Sequence, residues 1–286
     1  MKKIVIIGNS AAGIAAAEAI REKDKESSVA MVTSEPFLAY ERPKILNLLA
    51  GKLKERDLFY RSADFYKNNA IDLRLEHEVK EVNLNRKKVV FKDQDPLEFD
   101  QLVIATGQGV VLPSLKGIHK EGVVALSGLA DVKGVIEQLP VAHTVVVVGS
   151  GAIAVEVARI IAEKKMDVKF FGNPTGPVEG VDVMSAETIT ELIGESEVRA
   201  VRLANNKVIG ASLVIFTEPR QPRMDFLADS QIRVNQGIIV DQGMRTSMPF
   251  VFACGDVAEI EGREKSKNWS QAVEDGRIAG GNLCQT

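Results

Sequence analysis

Two glycine-rich turns in this chain have the residue types and spacing of a site for the pyrophosphate of a dinucleotide. They span residues 8–13 (Gly-Asn-Ser-Ala-Ala-Gly) and 149–154 (Gly-Ser-Gly-Ala-Ile-Ala), and each joins an apolar, strand-like run to a helix-like run. The N-terminus of a helix has unpaired N–H groups and about half a positive charge, so it attracts an anion. One such turn also occurs for packing reasons, but two turns in 286 residues predict two dinucleotide sites.

The first turn departs from the usual glycine pattern at one position. Ser10 stands where a middle glycine is usual, but serine is small and its hydroxyl can donate to a phosphate. Glu35 lies 22 residues beyond Gly13, where an acid can accept hydrogen bonds from an adenosine ribose; an ordinary loop acid is the alternative. The predicted pyrophosphate contacts are Gly8, Ser10, Ala11, Ala12 and Gly13.

The second turn keeps Gly149 and Gly151 and has Ala154 at its third position, where the residue mainly sets the distance between helix and strand. The weaker part of this site follows the next strand. At residues 172–174 the chain reads Gly-Asn-Pro, so it has neither an acid for the ribose of NAD nor a base for the phosphate of NADP. Two interpretations of the second turn stay open. It either binds a nicotinamide nucleotide or belongs to a Rossmann-like unit that is kept only as scaffold.

The order of apolar and helix-type runs places both turns at strand-to-helix junctions. Apolar runs at residues 3–7 and 29–33 flank an alanine-rich helical run at 11–22, which makes a strand-helix-strand unit of about 30 residues. The same order recurs between residues 142 and 171. This pattern predicts the α/β class with parallel sheets. Other predicted elements are strands at 102–105 and 250–253, hairpins at 79–91 and 198–209, a loop at 172–182 and a final helix at 268–283.

Composition argues against several classes of protein. With 36 basic and 39 acidic residues the formal charge is −3, which gives no reason to expect binding to nucleic acid or to an anionic membrane. The apolar run at the N-terminus stops at Gly8, and no stretch approaches the ~18 to 20 apolar residues of a membrane span. Cys254 and Cys284 form no CxxC pair and the three histidines are scattered, so no disulfide scaffold or metal site is expected. A cytoplasmic protein is the default expectation.

Several motifs in this order resemble the pyridine nucleotide-disulfide oxidoreductase superfamily, the flavoproteins with two dinucleotide domains. They extend over nearly the whole chain. The chain looks most like the branch of NADH oxidases, rubredoxin reductases and the FAD/NAD part of nitrite reductases, in which an Arg-Pro motif and a Trp-containing final helix approach the flavin. The motifs are the first turn with its strand, residues 40–43 (Tyr-Glu-Arg-Pro) with 49–51 (Leu-Ala-Gly), residues 100–107 (Asp-Gln-Leu-Val-Ile-Ala-Thr-Gly) and residues 251–256 (Val-Phe-Ala-Cys-Gly-Asp).

The resemblance implies FAD in the first site and NAD(H) or NADP(H) in the second. Glu35 would bind the adenosine ribose and Val79 the adenine. Asp256 would accept a hydrogen bond from the ribityl or pyrophosphate region, with Gly255 allowing the close approach. Further residues implied near FAD are Arg42, Pro43, Ala105, Thr106, Gly107, Trp269, Gln271 and Ala272. Those implied for the nicotinamide nucleotide are Gly149, Gly151, Ala154 and, near its nicotinamide end, Glu156.

Departures from the family pattern indicate the subtype. The chain has neither the redox cysteine pair of the disulfide reductases nor the single cysteine near the flavin of peroxidases and oxidases, and Cys254 is interpreted as a small core residue. Asn47 stands where a lysine often follows the Arg-Pro motif. Residues 216–219 (Phe-Thr-Glu-Pro) replace a second Ala-Thr-Gly beside the nicotinamide nucleotide. The sequence stops just after the last flavin helix, so we expect no C-terminal interface domain.

The expected architecture is α/β, with two Rossmann-like FAD/NAD(P)-binding domains of which the second is inserted in the first. Residues 1–108 and 240–286 would form the FAD domain, and residues 109–239 a shortened NAD(P)-binding domain. Two functions stay open. One is an NAD(P)H oxidoreductase that passes electrons through FAD to a small redox protein or another acceptor, with chemistry centred on the flavin. The other is an FAD-binding electron-transfer subunit of a larger redox complex with a degenerate nicotinamide site. Homo-oligomer formation is left open.

Overall fold

The computed structural model describes residues 1–174, 176–262 and 268–285 and divides into two compact units. The first unit comprises residues 1–41, 58–108 and 222–286, and the second comprises residues 42–57 and 109–221. Residues 42–57 therefore pack with the second unit and residues 222–239 with the first, whereas the limits expected from the sequence assign them the other way round. Strands β8 (Gln108–Val110) and β17 (Arg220–Pro222) lie where the chain passes between the units.

The described residues form these elements. The helices are α1 (Ala11–Lys23), α2 (Ile45–Leu49), α3 (Ala63–Asn68), α4 (Leu129–Gln138), α5 (Ala152–Glu163) and α6 (Trp269–Leu283). The other strands are β1 (Lys3–Ile7), β2 (Ser28–Val32), β3 (Ile71–Arg74), β4 (Val79–Asn83), β5 (Lys88–Phe91), β6 (Leu97–Glu98), β7 (Gln101–Ile104), β9 (Val123–Ala125), β10 (Thr144–Val148), β11 (Asp167–Phe171), β12 (Asp182–Val183), β13 (Ile189–Ile193), β14 (Ala200–Leu203), β15 (Val208–Gly210), β16 (Leu213–Phe216), β18 (Ile238–Val240), β19 (Val251–Ala253) and β20 (Ala258–Ile260). Short 3-10 helices cover 42–44, 55–57, 139–141, 225–227 and 255–257.

A five-stranded parallel sheet forms the centre of the first unit, in the order β19-β7-β1-β2-β3. In β1 the four successive residues 4–7 are all buried, as a strand covered on both faces requires. The antiparallel sheet β4-β5-β6 confirms the hairpin predicted at 79–91, and β18 pairs with β20. The first strand, glycine turn and helix therefore occur as the sequence predicts.

The second unit repeats this plan. Its parallel sheet has the order β12-β11-β10-β16-β9, and an antiparallel sheet β13-β14-β15 adds to it. Helix α5 follows β10 directly after the second glycine turn. Both units thus belong to the α/β class with parallel sheets that the sequence predicts.

Helices α1 and α6 of the first unit pack with their backbones almost in contact. A Cβ atom at Gly276 would lie 2.2 Å from the carbonyl oxygen of Ala12, and one at Gly280 would lie 2.3 Å from that of Ala16. Glycine weakens an isolated helix, and for that reason the sequence is a poor indicator of α6. Here the glycines are the residues that let the two helices meet.

We expect Gly276→Ala to lower the free energy of unfolding by about 1 to 3 kcal/mol, because the added methyl group would overpack the contact with Ala12. Gly281→Ala on the same helix is the matched control. Its Cβ would meet only the flexible Lys23 side chain, at 3.3 Å, so helix propensity should leave stability equal or raise it by up to about 1 kcal/mol. Urea unfolding of both variants measures the difference, and equal stabilities would contradict the packing argument.

Candidate functional site

The carboxyl ends of four parallel strands lie side by side in the first unit. The last residue of β1, Ile7, pairs with Val32 of β2 and with Ile104 of β7, and Ile104 pairs with Ala253 of β19. The segments that follow these strands must therefore start at one edge of the sheet. They are the first glycine turn, the loop with Glu35, residues 105–107 and residues 254–256, so the register brings together the main residues that the sequence assigns to FAD.

The outer glycines of the first turn are required by the turn itself. Gly8 has φ +122°, and a Cβ there would lie 2.2 Å from the carbonyl oxygen of Ala105. A Cβ at Gly13 would lie 1.9 Å from the carbonyl oxygen of Gly8. Because these two glycines set the path of the backbone, a ligand would be contacted mainly by the small residues between them.

The N-terminus of α1 is chemically suited to an anion. Ser10 is its N-cap residue, its side chain makes no capping hydrogen bond to the described residues, and the first turn of the helix contains no acidic residue. The Asn9 side chain is engaged elsewhere, since it accepts a 2.7 Å hydrogen bond from Tyr66 Oη and donates to Phe37 O. Backbone N–H groups, small side chains and the positive end of a helix fit the pyrophosphate of FAD.

Glu35 lies just beyond β2 and is oriented by a neighbour. The hydroxyl of Tyr40 donates to Glu35 Oε1 at 3.2 Å. The backbone around it is tied to the chain that leads into β4, because His77 N donates to Thr33 O at 2.8 Å. This bond brings the start of β4, with Val79, towards the end of β2, and binding of one adenosine group by Glu35 and Val79 stays a prediction.

Residues 106 and 107 pass along the sheet edge with open space beside them. Thr106 Oγ1 donates to Arg223 O at 2.6 Å, and Arg223 N donates to Gly107 O at 2.9 Å. Gly107 has φ +66°, and no heavy atom of the described residues would lie within 4 Å of a Cβ at this position. The arrangement leaves this backbone open to a flat ligand.

Gly255 and Asp256 stand beside the start of α1. A Cβ at Gly255 would lie 2.9 Å from the Cβ of Ala12 and 3.6 Å from that of Ala272. Asp256 Oδ2 accepts a 3.2 Å hydrogen bond from Gln108 Nε2. A side chain at Gly255 would therefore meet α1 and α6, and the role of this glycine in the approach of FAD stays a prediction.

Trp269 begins α6 and packs on Tyr60, whose ring also contacts the guanidinium group of Arg61. Its ring meets that of Tyr60 edge to face, with centroids 5.3 Å apart. The Arg61 guanidinium lies 3.8 Å above the Tyr60 ring and forms a 2.6 Å ion pair with Glu18. These contacts fix the start of α6 against α1. The sequence does not indicate Tyr60 and Arg61 as site residues, because no motif marks them.

The remaining residues of the FAD assignment divide between the units. Gln271 Nε2 donates to the buried Asp275 Oδ1 at 2.9 Å, so its amide helps to hold α6. Arg42 and Pro43 belong to the second unit, in the 3-10 helix 42–44. There Arg42 Nη1 donates to Ser127 O at 3.2 Å. A flavin contact by Arg42 and Pro43 stays a prediction.

The second glycine turn is already occupied by a side chain of the protein. Ser150 N donates to Glu218 Oε2 at 2.8 Å and Gly151 N donates to Glu218 Oε1 at 2.9 Å. Gly149 has φ +150° and Ala154 is fully buried behind it. The sequence shows that residues 216–219 depart from the family pattern, but not that Glu218 reaches the turn.

The surroundings of the second turn are otherwise neutral or internally paired. Asn173 N donates to Ser150 Oγ at 3.2 Å, and residues 172–174 carry no charge, as the sequence indicates. Glu156 is ion-paired with Arg159 one turn along α5, at 2.6 Å. The hydrogen bond from Arg159 lowers the pKa of Glu156, so this carboxylate is ionised at neutral pH.

Neither cysteine is set up as a redox group. Cys254 is completely buried, and this burial raises the pKa of its thiol far above the usual value, with the nearby charge of Asp275 adding to the effect. Cys284 is half-buried at the end of α6, and both thiols are free. Within the described residues no cluster of three or more His, Cys, Asp or Glu side chains could hold a metal ion, and no helix has the length and apolarity of a membrane span.

The fold and the two turns define a protein with two dinucleotide-binding units. The chain belongs to the pyridine nucleotide-disulphide oxidoreductase family, whose model matches residues 2–171 and 178–276. It is 30% identical to apoptosis-inducing factor 3 of Homo sapiens over 98% of this chain and 50% of that protein. It is 25% identical to the NADH-rubredoxin oxidoreductase of Clostridium acetobutylicum over 99% of this chain and 74% of that protein.

A solved structure shares the fold. The chain superimposes on the covalent putidaredoxin reductase–putidaredoxin complex with a TM-score of 0.90 and 24% identity, covering 100% of this chain and 76% of that one. The chain spans about half the length of the human relative. The match to the family model therefore establishes the family of this chain, and the superposition establishes its fold.

Changing Ser10 to Asp should lower the flavin content of the purified protein. An Asp at the N-cap would bind the same N–H groups and repel a phosphate, and a single unfavourable charge interaction weakens affinity by about tenfold per 1.4 kcal/mol. Ser10→Asn is the neutral control of equal size and should keep its flavin. The ratio of flavin to protein absorbance measures the effect, while a thermal melt checks that α1 is intact. Equal flavin content in the two variants would refute the assignment of the first turn.

The thiol of Cys254 should resist alkylation in the folded protein, because it is buried and stays protonated at neutral pH. Iodoacetamide treatment at about pH 8 followed by peptide mapping compares native with urea-unfolded protein. Cys254 should be labelled only after unfolding. Rapid labelling of native Cys254 would show an exposed, reactive thiol and would reopen a redox role for it.

Proposed function

We propose that this protein is an FAD-dependent NAD(P)H oxidoreductase that passes electrons from a nicotinamide nucleotide to a small redox protein or another acceptor. The observation that carries the proposal is the sheet edge of the first unit. There the uncapped N-terminus of α1, the open backbone at Gly107 and the acid Asp256 follow neighbouring parallel strands. Such an edge is where open α/β sheets bind their ligands.

FAD, when bound, supplies the chemistry of accepting a hydride and passing electrons onward. The work of the protein's own residues is binding and orientation. The N–H groups of α1 would hold the pyrophosphate, Glu35 the adenosine ribose and Asp256 the ribityl or pyrophosphate region. Trp269 and Ala272 at the start of α6 would border the isoalloxazine ring. No acidic or nucleophilic side chain is needed for the redox step, which agrees with the neutral, buried state of Cys254.

The names of the relatives support the choice of acceptor. Two of them are called rubredoxin reductases, and one structural neighbour is a reductase captured with its putidaredoxin partner. We infer that the acceptor of this chain is likewise a small redox protein, and that the protein acts in the cytoplasm without nucleic acid or a membrane span of its own. Assembly into a homo-oligomer or a larger redox complex is compatible with this role.

The second unit favours one alternative function. Because Glu218 takes up the N–H groups of the second turn and residues 172–174 carry no charge, the nicotinamide site could be degenerate. The protein would then be an FAD-binding electron-transfer subunit that receives its electrons from another component of a larger complex.

Anaerobic stopped-flow mixing separates the two functions. The purified protein should have the absorption spectrum of a flavoprotein, and NADH or NADPH should bleach its flavin band within about a second, in the range of ordinary enzyme turnover. Dithionite serves as the control for a reducible flavin. Bleaching by dithionite but by neither nucleotide would support the electron-transfer subunit, and a protein that cannot bind FAD would overturn both functions.

A further inference from the structure

We propose that the Glu218 carboxylate is an internal anion that occupies the second glycine turn and competes there with the phosphate groups of a nicotinamide nucleotide. The inference rests on the proposed function, because it takes the second turn as the place where those phosphates bind. It makes Glu218 the residue that sets nucleotide affinity in the second unit.

The contacts of Glu218 are those of a bound anion. Its two carboxylate oxygens accept separate hydrogen bonds, from Ser150 N at 2.8 Å and from Gly151 N at 2.9 Å. Gly151 is the N-cap residue of α5, and the first turn of this helix contains no acidic residue of its own. The carboxylate of Glu218 thus places a negative charge at the positive end of α5, where a phosphate would bind through the same N–H groups.

The glycines of the second turn leave the room that this carboxylate fills. A Cβ at Gly151 would lie 2.3 Å from Glu218 Oε1, and one at Gly149 would lie 3.6 Å from Glu218 Oε2. In the first turn, the glycines Gly8 and Gly13 would meet only backbone and buried side-chain atoms of the fold. Space that a phosphate needs at the second turn is therefore taken by a side chain.

The parallel sheet holds Glu218 at the turn. Strand β16 lies beside β10 with Phe216 paired to Val148, so the chain leaves both strands at the same level. Thr217 is fully buried and its N–H donates to Val148 O at 3.0 Å. Glu218 is the next residue, and it lines an open depression of the second unit with Pro219 and Arg220. These contacts hold the backbone, whereas the carboxylate of Glu218 is partly exposed and can rotate away from the turn.

The Glu218 carboxylate competes with a phosphate because it is either bonded to the turn or rotated away from it. A phosphate can use the N–H groups of Ser150 and Gly151 only when the carboxylate has left them, because two anions at this spacing repel each other. The apparent dissociation constant of the nucleotide is then its intrinsic value divided by the fraction of molecules with an open turn. Removing the carboxylate should raise that fraction to nearly one.

The test compares nucleotide binding by the FAD-loaded wild-type chain with Glu218→Gln and Glu218→Ala. Glu137→Gln is the matched control, since it removes the same charge from an exposed position on α4 of the same unit. Isothermal titration uses NADH, NADPH and ADP-ribose, of which ADP-ribose cannot reduce a flavin. Both Glu218 variants should bind all three probes at least about tenfold more tightly than the wild type, because two charge-assisted hydrogen bonds no longer have to be broken.

Unchanged or weaker binding by both Glu218 variants would overturn the inference, since Glu218 would then support the turn or contact the nucleotide directly. A gain of the same size in Glu137→Gln would also overturn it, because the effect would be one of net charge alone. The result with ADP-ribose is independent of the proposed function. Tighter binding of ADP-ribose without any flavin reduction by NADH or NADPH would keep the role of Glu218 and reject the reductase activity.

Discussion

The near contact between the backbones of α1 and α6 determines the geometry of the first unit. Ala12 lies at its centre, because Cβ atoms at Gly255 and at Gly276 would both press on this residue. The same helix α1 begins with the N–H groups that face the sheet edge, and α6 begins with Trp269. The position of Trp269 relative to the first glycine turn therefore depends on glycines, which have no side chain to separate the two helices. Small residues here are a requirement of packing before they are a requirement of ligand binding.

The two glycine turns apply one physical principle with different results. In both, a parallel strand ends, the chain turns through a glycine with positive φ, and a helix presents its positive end. At α1 the neighbouring polar side chain, Asn9, is hydrogen-bonded away from the N–H groups. At α5 the carboxylate of Glu218, two residues after β16, is bonded to the corresponding N–H groups. Similar local geometry therefore leaves the helix N-terminus without a bound side chain in the described part of one unit, whereas a carboxylate of the protein binds it in the other.

Much of this arrangement could be predicted from the sequence, because it follows from local patterns. Strand, turn and helix at both glycine motifs are encoded by consecutive residues, and so is the hairpin between residues 79 and 91.

Features that depend on contacts distant in sequence could not be predicted in the same way. The glycines of α6 lower its helix propensity. Their role in close helix packing is recognised only from the contact of α6 with α1. The position of Glu218 depends on the pairing of β16 with β10, which no local pattern specifies. The packing of residues 42–57 with the second unit has the same origin.

Control in such a protein lies in binding rather than in side-chain reactivity. Under the proposed function, the buried and protonated Cys254 leaves the redox step to the cofactor, and the chain acts through which phosphates its helices accept. The choice at α5 does not come from the usual position after β11, since Asn173 is neutral and its N–H is bonded to Ser150. A carboxylate in the turn repels the pyrophosphate of NADH and of NADPH alike, because the pyrophosphate is common to both. The charge that distinguishes this site therefore regulates how much nucleotide binds, and selection between the two nucleotides must depend on contacts outside the turn.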